Sequence, residues 1–494
     1  MSSRLQCRVG SSRAPVLLLA LLIFAPTIPC CRAQDRRAPN VIVILADDLG
    51  YGEVGCYGQK KIRTPNIDRL AREGMRFTQH YAGAPVCAPS RCVLMTGRHL
   101  SRAWIRGNKP VRPEGQWPIP ADAVTVAEVM KASGYATGCI GKWGLGPASS
   151  TGDPNAQGFD LYYGYICQRE AHNYYPPYLW LNGQKHLLNN QAFKAHQRFK
   201  QPPEDYARFH GHEYAPDLMI NQALAFLRRN QQKPFFLYLP FVEPHVAMQP
   251  PARWVDRYPK EWDEKPYIGN HGYLPHPRPR AGYAAMISHL DEHVGRVTRL
   301  VDELGMRDQT LILFTSDNGP THDVGGADTK FFNSSGKLRG RKGSVYEGGL
   351  RVPTIARWPG TVAAGSTTDH VSGFQDLLPT LAELAHGDVP VGVDGLSFLP
   401  TLRGAGKQRQ HDHLVWEFYG YGGQQAVRSG RWKAVRTGLR KKPSSVALYD
   451  LDADISESND VAKDHPEVVA RLQKVMETVR TKNPDFPIPL LDGR

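Results

Sequence analysis

Three uninterrupted apolar runs restrict this chain more than any other feature. Val41 to Ala46, Phe235 to Leu239 and Leu311 to Thr315 show no alternation of polar and apolar positions. A strand with one wet face alternates. A strand that is apolar on both sides belongs in a sheet covered on both faces, as parallel sheets are. Helical patterns fall between the runs. Val124 to Lys131 leads into a turn at Gly134, and Ile287, Leu290, Val294, Val297, Val301 and Leu304 recur at spacings of three and four, one apolar helix face. Strands alternating with helices predict an α/β sheet with its active groups at strand ends.

A chain of 494 residues exceeds one typical core, which predicts a large domain with a smaller companion. Between 147 and 216, aromatics, Asn, His and Pro with weak periodicity predict long insertions over the sheet edge. Gly387 to Gly406 reads as the passage to a C-terminal unit. There Gln425–Arg428, Trp432–Arg436 and Leu448–Leu451 read as short strands, and Pro466 to Thr481 as a closing helix. The predicted division is a signal peptide over 1–33, a catalytic domain over 34–395 and a C-terminal subdomain over 396–494.

The N-terminus opens with Arg4, Arg8 and Arg13 and no acid, followed by the short apolar stretch Ala14 to Ala25 and then Gln34-Asp35-Arg36-Arg37. This is the layout of a cleaved secretory signal ending near Ala33. It predicts a secreted or periplasmic protein, with lipoprotein attachment at Cys30 or Cys31 as an alternative. No other stretch is long and apolar enough for a stable membrane span. Removing residues 1–33 takes away four arginines and no acid, leaving 57 basic against 47 acidic residues, a formal +10. That charge is spread along the chain, and in an exported protein it fits a sulfated polymer better than nucleic acid. With Cys87 set aside, Cys56, Cys92, Cys139 and Cys167 remain beyond the leader region. Export permits disulfides among them, and three pairings stay open.

The chemistry-bearing residues sit where the strands end. Asp47-Asp48 follows the first run, and Ser316-Asp317-Asn318-Gly319 follows the third. Carboxylate and amide oxygens meeting at one sheet edge suit calcium or magnesium better than zinc. In Cys87-Ala88-Pro89-Ser90-Arg91, Pro89 is expected at the first helical position with Cys87 just ahead. The first-turn N–H groups favour an anion, and the Arg91 guanidinium adds a fork of donors. Lys142 and Lys342 lie beside glycines that let the backbone approach a ligand. His245 follows the second run in Glu243-Pro244-His245.

Taken together, Cys87-Ala88-Pro89-Ser90-Arg91 with Thr96-Gly97-Arg98, the block Gly134 to Trp143 and the block Gly340 to Gly349 resemble the formylglycine-dependent type I sulfatases. These are arylsulfatase-like members of the alkaline phosphatase superfamily. The resemblance runs from about Asn40 to Ala462. It implies an alkaline-phosphatase-like α/β sandwich around a central, mostly parallel sheet, with a smaller C-terminal domain of antiparallel sheet and helix. It also implies a sulfuric ester hydrolase in which a formylglycine-generating or equivalent maturation enzyme oxidises Cys87 to 3-oxoalanine, whose hydrate attacks sulfur. Asp47, Asp48, Asp317 and Asn318, together with position 87, match the ligands of a divalent ion, usually Ca2+ and otherwise Mg2+. Arg91, Lys142 and Lys342 match residues that hold the sulfate oxygens, and His245 matches the residue that protonates the leaving oxygen.

One position departs from the pattern. Where the family usually carries a histidine after the Lys-Trp pair, this chain has Gly144. His172, in the polar-aromatic insertion that follows, is the expected replacement or substrate grip. Arg169, His172 and the aromatics up to Trp180 suit a sugar ring better than a flat phenol. The favoured reading is an exported sulfatase acting on a sulfated carbohydrate, with a galactose or N-acetylgalactosamine sulfate preferred. A general arylsulfatase is one alternative, and a sulfated-glycan binding protein with impaired turnover is another.

Overall fold

The computed structural model describes residues 5, 6, 8–11 and 38–493. The signal-peptide reading falls outside them, except for residues 5, 6 and 8–11, which form no helix or strand. The chain divides into two units, 1–36 and 37–494, and among the described residues every element belongs to the second.

The strands are β1 Asn40–Ala46, β2 Met75–Phe77, β3 His80–Tyr81, β4 Ala136–Lys142, β5 Leu161–Tyr165, β6 Tyr178–Leu181, β7 Gln184–Leu187, β8 Phe235–Pro240, β9 Thr310–Ser316, β10 Thr354–Arg357, β11 Ser366–Thr368, β12 Ser372–Gly373, β13 Leu414–Phe418, β14 Gln424–Ser429, β15 Trp432–Thr437 and β16 Ala447–Asp450. Ten of them form one sheet in the order β11-β2-β10-β9-β1-β8-β4-β5-β6-β7. Its centre, from β9 to β5, is parallel, while β10, β6 and β7 run antiparallel to their neighbours.

The three apolar runs become β1, β8 and β9, and their lack of alternation has a direct cause. Val41, Val43 and Leu45 enter the core on one side of the sheet, and Ile42, Ile44 and Ala46 enter a second core on the other. The helices that concern the site are α1 Pro65–Glu73, α2 Cys87–Thr96, α3 Val126–Ala132, α4 Ala215–Asn230, α5 Ala252–Val255 and α6 Pro279–Glu303. Ile287, Leu290, Val294, Val297 and Val301 of α6 pack into the second core, as their spacing predicts. A capping box between Thr125 and Glu128 starts α3.

Two local expectations need correcting. Residues 147–216 do not merely lie over the sheet edge: they build it, as β5 and the β6–β7 hairpin. Helix α2 starts at Cys87, not at Pro89. Its first intrahelical bond is Ser90 N–H to the Val86 carbonyl at 3.2 Å, so Pro89 occupies a first-turn position whose N–H has no intrahelical acceptor to lose.

β13 to β16 form a four-stranded antiparallel sheet. Trp416, Ala426, Val435 and Tyr449 of this sheet join the core on the α2 side of the main sheet. Val415, Val427, Ala434 and Leu448 instead meet Val468, Leu472 and Met476 of the helix Pro466–Thr478. Cys56, Cys87, Cys92, Cys139 and Cys167 are all free thiols, so none of the three open pairings is formed. Among the described residues, no helix is long and apolar enough to cross a membrane.

Candidate active site

Register creates the site. Ala46 pairs with Ser316 across β1 and β9, so Asp47-Asp48 and Asp317-Asn318 leave the sheet side by side. β8 runs parallel to β1 on its other flank and leads into Glu243-Pro244-His245. The ends are tied together by backbone bonds: Asp47 N–H to the Glu243 carbonyl and Asp317 N–H to the Ala46 carbonyl, both 3.0 Å. Asp48 adopts φ 68°, a left-handed conformation uncommon outside glycine. Its N–H donates to Asp317 Oδ1 at 3.1 Å, and its Oδ1 accepts from Asn318 Nδ2 at 2.9 Å, which holds it there.

Cations complete a buried cluster. Arg91 donates through Nε and Nη2 to Asp317 Oδ2, at 3.2 and 2.9 Å, and through Nη1 to the Lys142 carbonyl. Lys142 pairs with Asp47. Lys342 Nζ lies 2.7 Å from Asp48 Oδ1 and 3.5 Å from Cys87 Sγ. Cys87 Sγ lies 3.4 Å from Asp47 Oδ1. His245 Nδ1 bonds the Val246 carbonyl, leaving Nε2 directed at Asp48 Oδ2, 3.6 Å away. Burial and the neighbouring Asp47 push the Cys87 thiol up to about 12. Burial and the charge of Lys342 bring His245 down to about 4 despite the two carboxylates. Burial alone would raise Asp47, but Lys142, His245, Arg91 and Lys342 hold it well below the usual carboxylate range.

The donor set fits a hard divalent cation. Asn318 Oδ1 is buried and has no hydrogen-bond partner, while its amide nitrogen is fully used by Asp48 and the Gly319 carbonyl. Side-chain atoms of Asp47, Asp48, Cys87 and His245 also lie within 4.8 Å of one another. An acceptor left free beside this many oxygen donors is what calcium or magnesium ligation uses.

A cavity of about 250 Å3 opens onto the cluster, with Cys87, Lys342, His245, Gln168, Tyr273 and Tyr421 among its walls. His172 stacks on His245 with ring centroids 4.3 Å apart and planes at 8°, and exposed Arg169 stands at the mouth. Asp47, Asp48, Cys87, Arg91, Lys142, His245, Asp317, Asn318 and Lys342 therefore meet at one edge, with Arg169 and His172 lining the cavity beside them. The room beside Gly144 is taken by a residue that was not foreseen: a Cβ on Gly144 would stand 2.8 Å from Gln168 Cγ. Gln168 is buried, and both its amide atoms lack partners.

The aromatic stretch also needs a correction. Tyr174 and Tyr175 are core residues, and Tyr174 Oη donates to the carbonyls of Val242 and His245, bracing the histidine loop from behind. Tyr178 and Trp180 are engaged by Glu114. The rings that line the cavity come from Tyr273 and from Tyr421, which stacks on His322. The glycines on either side of Tyr421, in Gly420-Tyr421-Gly422-Gly423, were the available hint of a shaped turn.

The sulfatase family profile matches residues 39–387, and a profile described as N-sulphoglucosamine sulphohydrolase, C-terminal, matches 341–482. The chain is 31% identical to an N-acetylgalactosamine-6-O-sulfatase of Bacteroides thetaiotaomicron, over 91% of this chain and 94% of that one. It is 34% identical to human arylsulfatase A, over 89% and 87%. A solved structure described as Ps i-CgsB in complex with k-i-k-neocarrahexaose superposes with a TM-score of 0.76 at 29% identity, covering 92% of this chain and 96% of that one.

Proposed function

The chain belongs to the sulfatase family and is a sulfuric ester hydrolase, and from that premise we propose that it is exported and cleaves sulfate esters of a galactose- or N-acetylgalactosamine-type carbohydrate. The observation that carries the chemistry is the convergence of Cys87, Arg91, Lys142, Lys342 and His245 around one acidic strand edge. Asp47, Asp48, Asp317, Asn318 and position 87 would hold Ca2+, or Mg2+ in its place. When bound, the ion would supply positive charge for sulfate oxygens; Cys87, once oxidised to formylglycine by a maturation enzyme and hydrated by water, would supply a nucleophilic hydroxyl.

The chain's own residues do the remaining work. Arg91 braces Asp317 and the Lys142 backbone, which fixes the acidic edge. Lys342, and Lys142 beside Asp47, place positive charge where sulfate oxygens gain negative charge in the transition state. His245 presents Nε2 to the cavity to give a proton to the departing sugar oxygen, and a bound sulfate raises its pKa toward the working range. Arg169 and His172 grip the substrate at the mouth. The subdomain from 396 onward contributes the Tyr421 wall, and the division 34–395 and 396–494 is proposed with it.

A carbohydrate is favoured by the cavity's neutral hydrogen-bonding groups. Gln168 offers both amide atoms and Gln116 its free Oε1, the groups that sugar hydroxyls pair with. The likeness to arylsulfatase A supports a general arylsulfatase as the second reading. Export rests on the leader over 1–33, and N-terminal sequencing of the mature protein tests it, a lipid-modified Cys30 or Cys31 being the alternative result.

The deciding experiment has two arms. Mass spectrometry of the tryptic peptide ending at Arg91 should find the thiol replaced by an aldehyde; intact cysteine throughout a matured preparation would favour the impaired glycan binder. Turnover on 6-sulfated N-acetylgalactosamine and galactose should exceed turnover on an aryl sulfate, and the reverse order would move the assignment to the arylsulfatase. His172→Ala should weaken KM, and unchanged kinetics would remove that residue from the substrate site.

A further inference from the structure

Behind the histidine loop lies a second cluster of ligating side chains, outside the acidic edge. His289 and His293 stand one turn apart on α6 and so share one face of the helix. Asp217 reaches them from the first turn of α4. Both imidazoles aim Nε2 at the same oxygen, Asp217 Oδ1, at 3.1 Å from His289 and 3.5 Å from His293. A carboxylate oxygen has lone pairs enough to accept from both rings. The three donor atoms, all within 4.8 Å of one another, also match a tetrahedral metal site, where ligands about 2.0–2.1 Å from the ion stand roughly 3.3 Å apart.

The surroundings fit the same reading. Glu243 lies on the far side of both rings, with Oε1 3.0 Å from His289 Nδ1 and 3.7 Å from His293 Nδ1. This is where a carboxylate orients metal-bound histidines through their outer nitrogens. Two atoms are left over: Glu243 Oε2 and His293 Nδ1 are buried without hydrogen-bond partners, on side chains that are 0% and 1% exposed. Tyr214, Trp254 and Phe241 set their rings against the histidines. Asp217, 36% exposed, gives the cluster an opening to solvent and room for water as a fourth ligand.

We propose that Asp217, His289 and His293 bind a divalent transition-metal ion of the zinc class, held in place by Glu243, as a second metal site distinct from the acidic edge. Two imidazoles and one carboxylate select zinc or cobalt over calcium. The ion ties α4 to α6 and to Glu243, whose carbonyl accepts the Asp47 N–H and which stands two residues before His245. It acts on the catalytic edge through the backbone, as a positioning element. The proposal does not depend on the sulfate chemistry.

Cobalt(II) is the probe, because a tetrahedral site gives it intense visible absorption. The chelator-stripped full chain, dialysed against CoCl2 in the presence of excess Ca2+, should retain one equivalent of cobalt with that spectrum. Asp317→Asn, altered at the acidic edge, should retain it as well. His293→Gln and the near-isosteric Asp217→Asn should each lower cobalt affinity at least about tenfold, with circular dichroism confirming that they fold. Zinc should raise the melting temperature of the wild type and of Asp317→Asn but not of Asp217→Asn. A folded wild type that retains no cobalt overturns the proposal. So does a spectrum that survives in Asp217→Asn, and a spectrum lost only in Asp317→Asn assigns the ion to the acidic edge instead.

Discussion

Two buried ion clusters are built to opposite ends. At the acidic edge, Asp47, Asp48 and Asp317 meet Arg91, Lys142 and Lys342, yet Asn318 Oδ1 stays unpaired and a cavity opens onto the group. At the junction with the C-terminal sheet, Lys433 of β15 is enclosed by Glu347 at 2.8 Å and Glu457 at 3.0 Å. Arg351 reaches Glu347 at 3.0 Å, and Arg428 bonds Tyr81 and Gln79. In that second group Glu457 Oε1 and Arg351 Nε make no hydrogen bond, but each lies 3.0 Å from an opposite charge, so the group is closed by ion pairing. Buried charge is costly unless it is paired, so a closed cluster serves the fold, whereas a cluster with a spare acceptor and an opening serves a ligand.

The comparison breaks most visibly at Cys87. Cys87→Ala should reduce sulfate-ester turnover by on the order of 10^4–10^6-fold, the scale of nucleophile removal in other covalent hydrolases, while the urea midpoint moves little. At the closed cluster the effects should exchange places. Lys433→Ala strands Glu457 and leaves Glu347 with Arg351, and should cost about 3–5 kcal/mol in urea unfolding, with turnover per folded molecule retained. If Lys433→Ala instead abolished turnover in folded protein, the division between the clusters would fail. A smaller effect is expected at His245→Ala: a loss of about 10^2–10^4-fold in kcat, with KM changing much less, as its proposed action on the departing oxygen requires.

Acid separates Glu347 of the closed cluster from His80, the residue before Tyr81 on β3. Burial lowers His80 to about 4, so its neutral form is favoured in the fold. Its contribution is complete above the unfolded value near 6.5 and is lost as pH falls toward about 4. Burial would raise Glu347, but Lys433, Arg351 and Arg428 hold it at about 2. Its contribution is complete above its ordinary 4.5 and is lost only as pH falls toward about 2. These two groups therefore contribute a decline in the urea midpoint from about pH 6.5 downward, set against the carboxyls of Glu53, Asp291 and Glu457, which burial raises to about 7 and which favour the fold as pH falls. His80→Gln should flatten the upper part of that decline, and Glu347→Gln should alter only its lower end.

What could be read from the chain follows the range of the interaction. β1, β8 and β9 were legible because burial on both faces leaves a run of adjacent apolar residues. β13 was not: Leu414–Phe418 carries Glu417, whose buried carboxylate is neutralised by Arg106 and Arg480, partners far away along the chain. Asp47, Cys87 and Asp317 were legible because each directly follows a strand or opens a helix within a short motif. Tyr273, Tyr421 and Gln168 enter the cavity by tertiary placement alone. The exchange at Gly144 shows the limit clearly, since the missing side chain was visible in the sequence and the occupant of its space was not.

Tyr421 carries a consequence for how such an enzyme diversifies. It reaches the cavity from the turn between β13 and β14, while the reacting groups stand on the strand ends and helices of the larger sheet. Insertions or replacements in that turn can therefore re-cut the mouth for a different sulfate ester while the chemistry inherited from the family stays in place. Selection can then vary what is admitted separately from what is done to it.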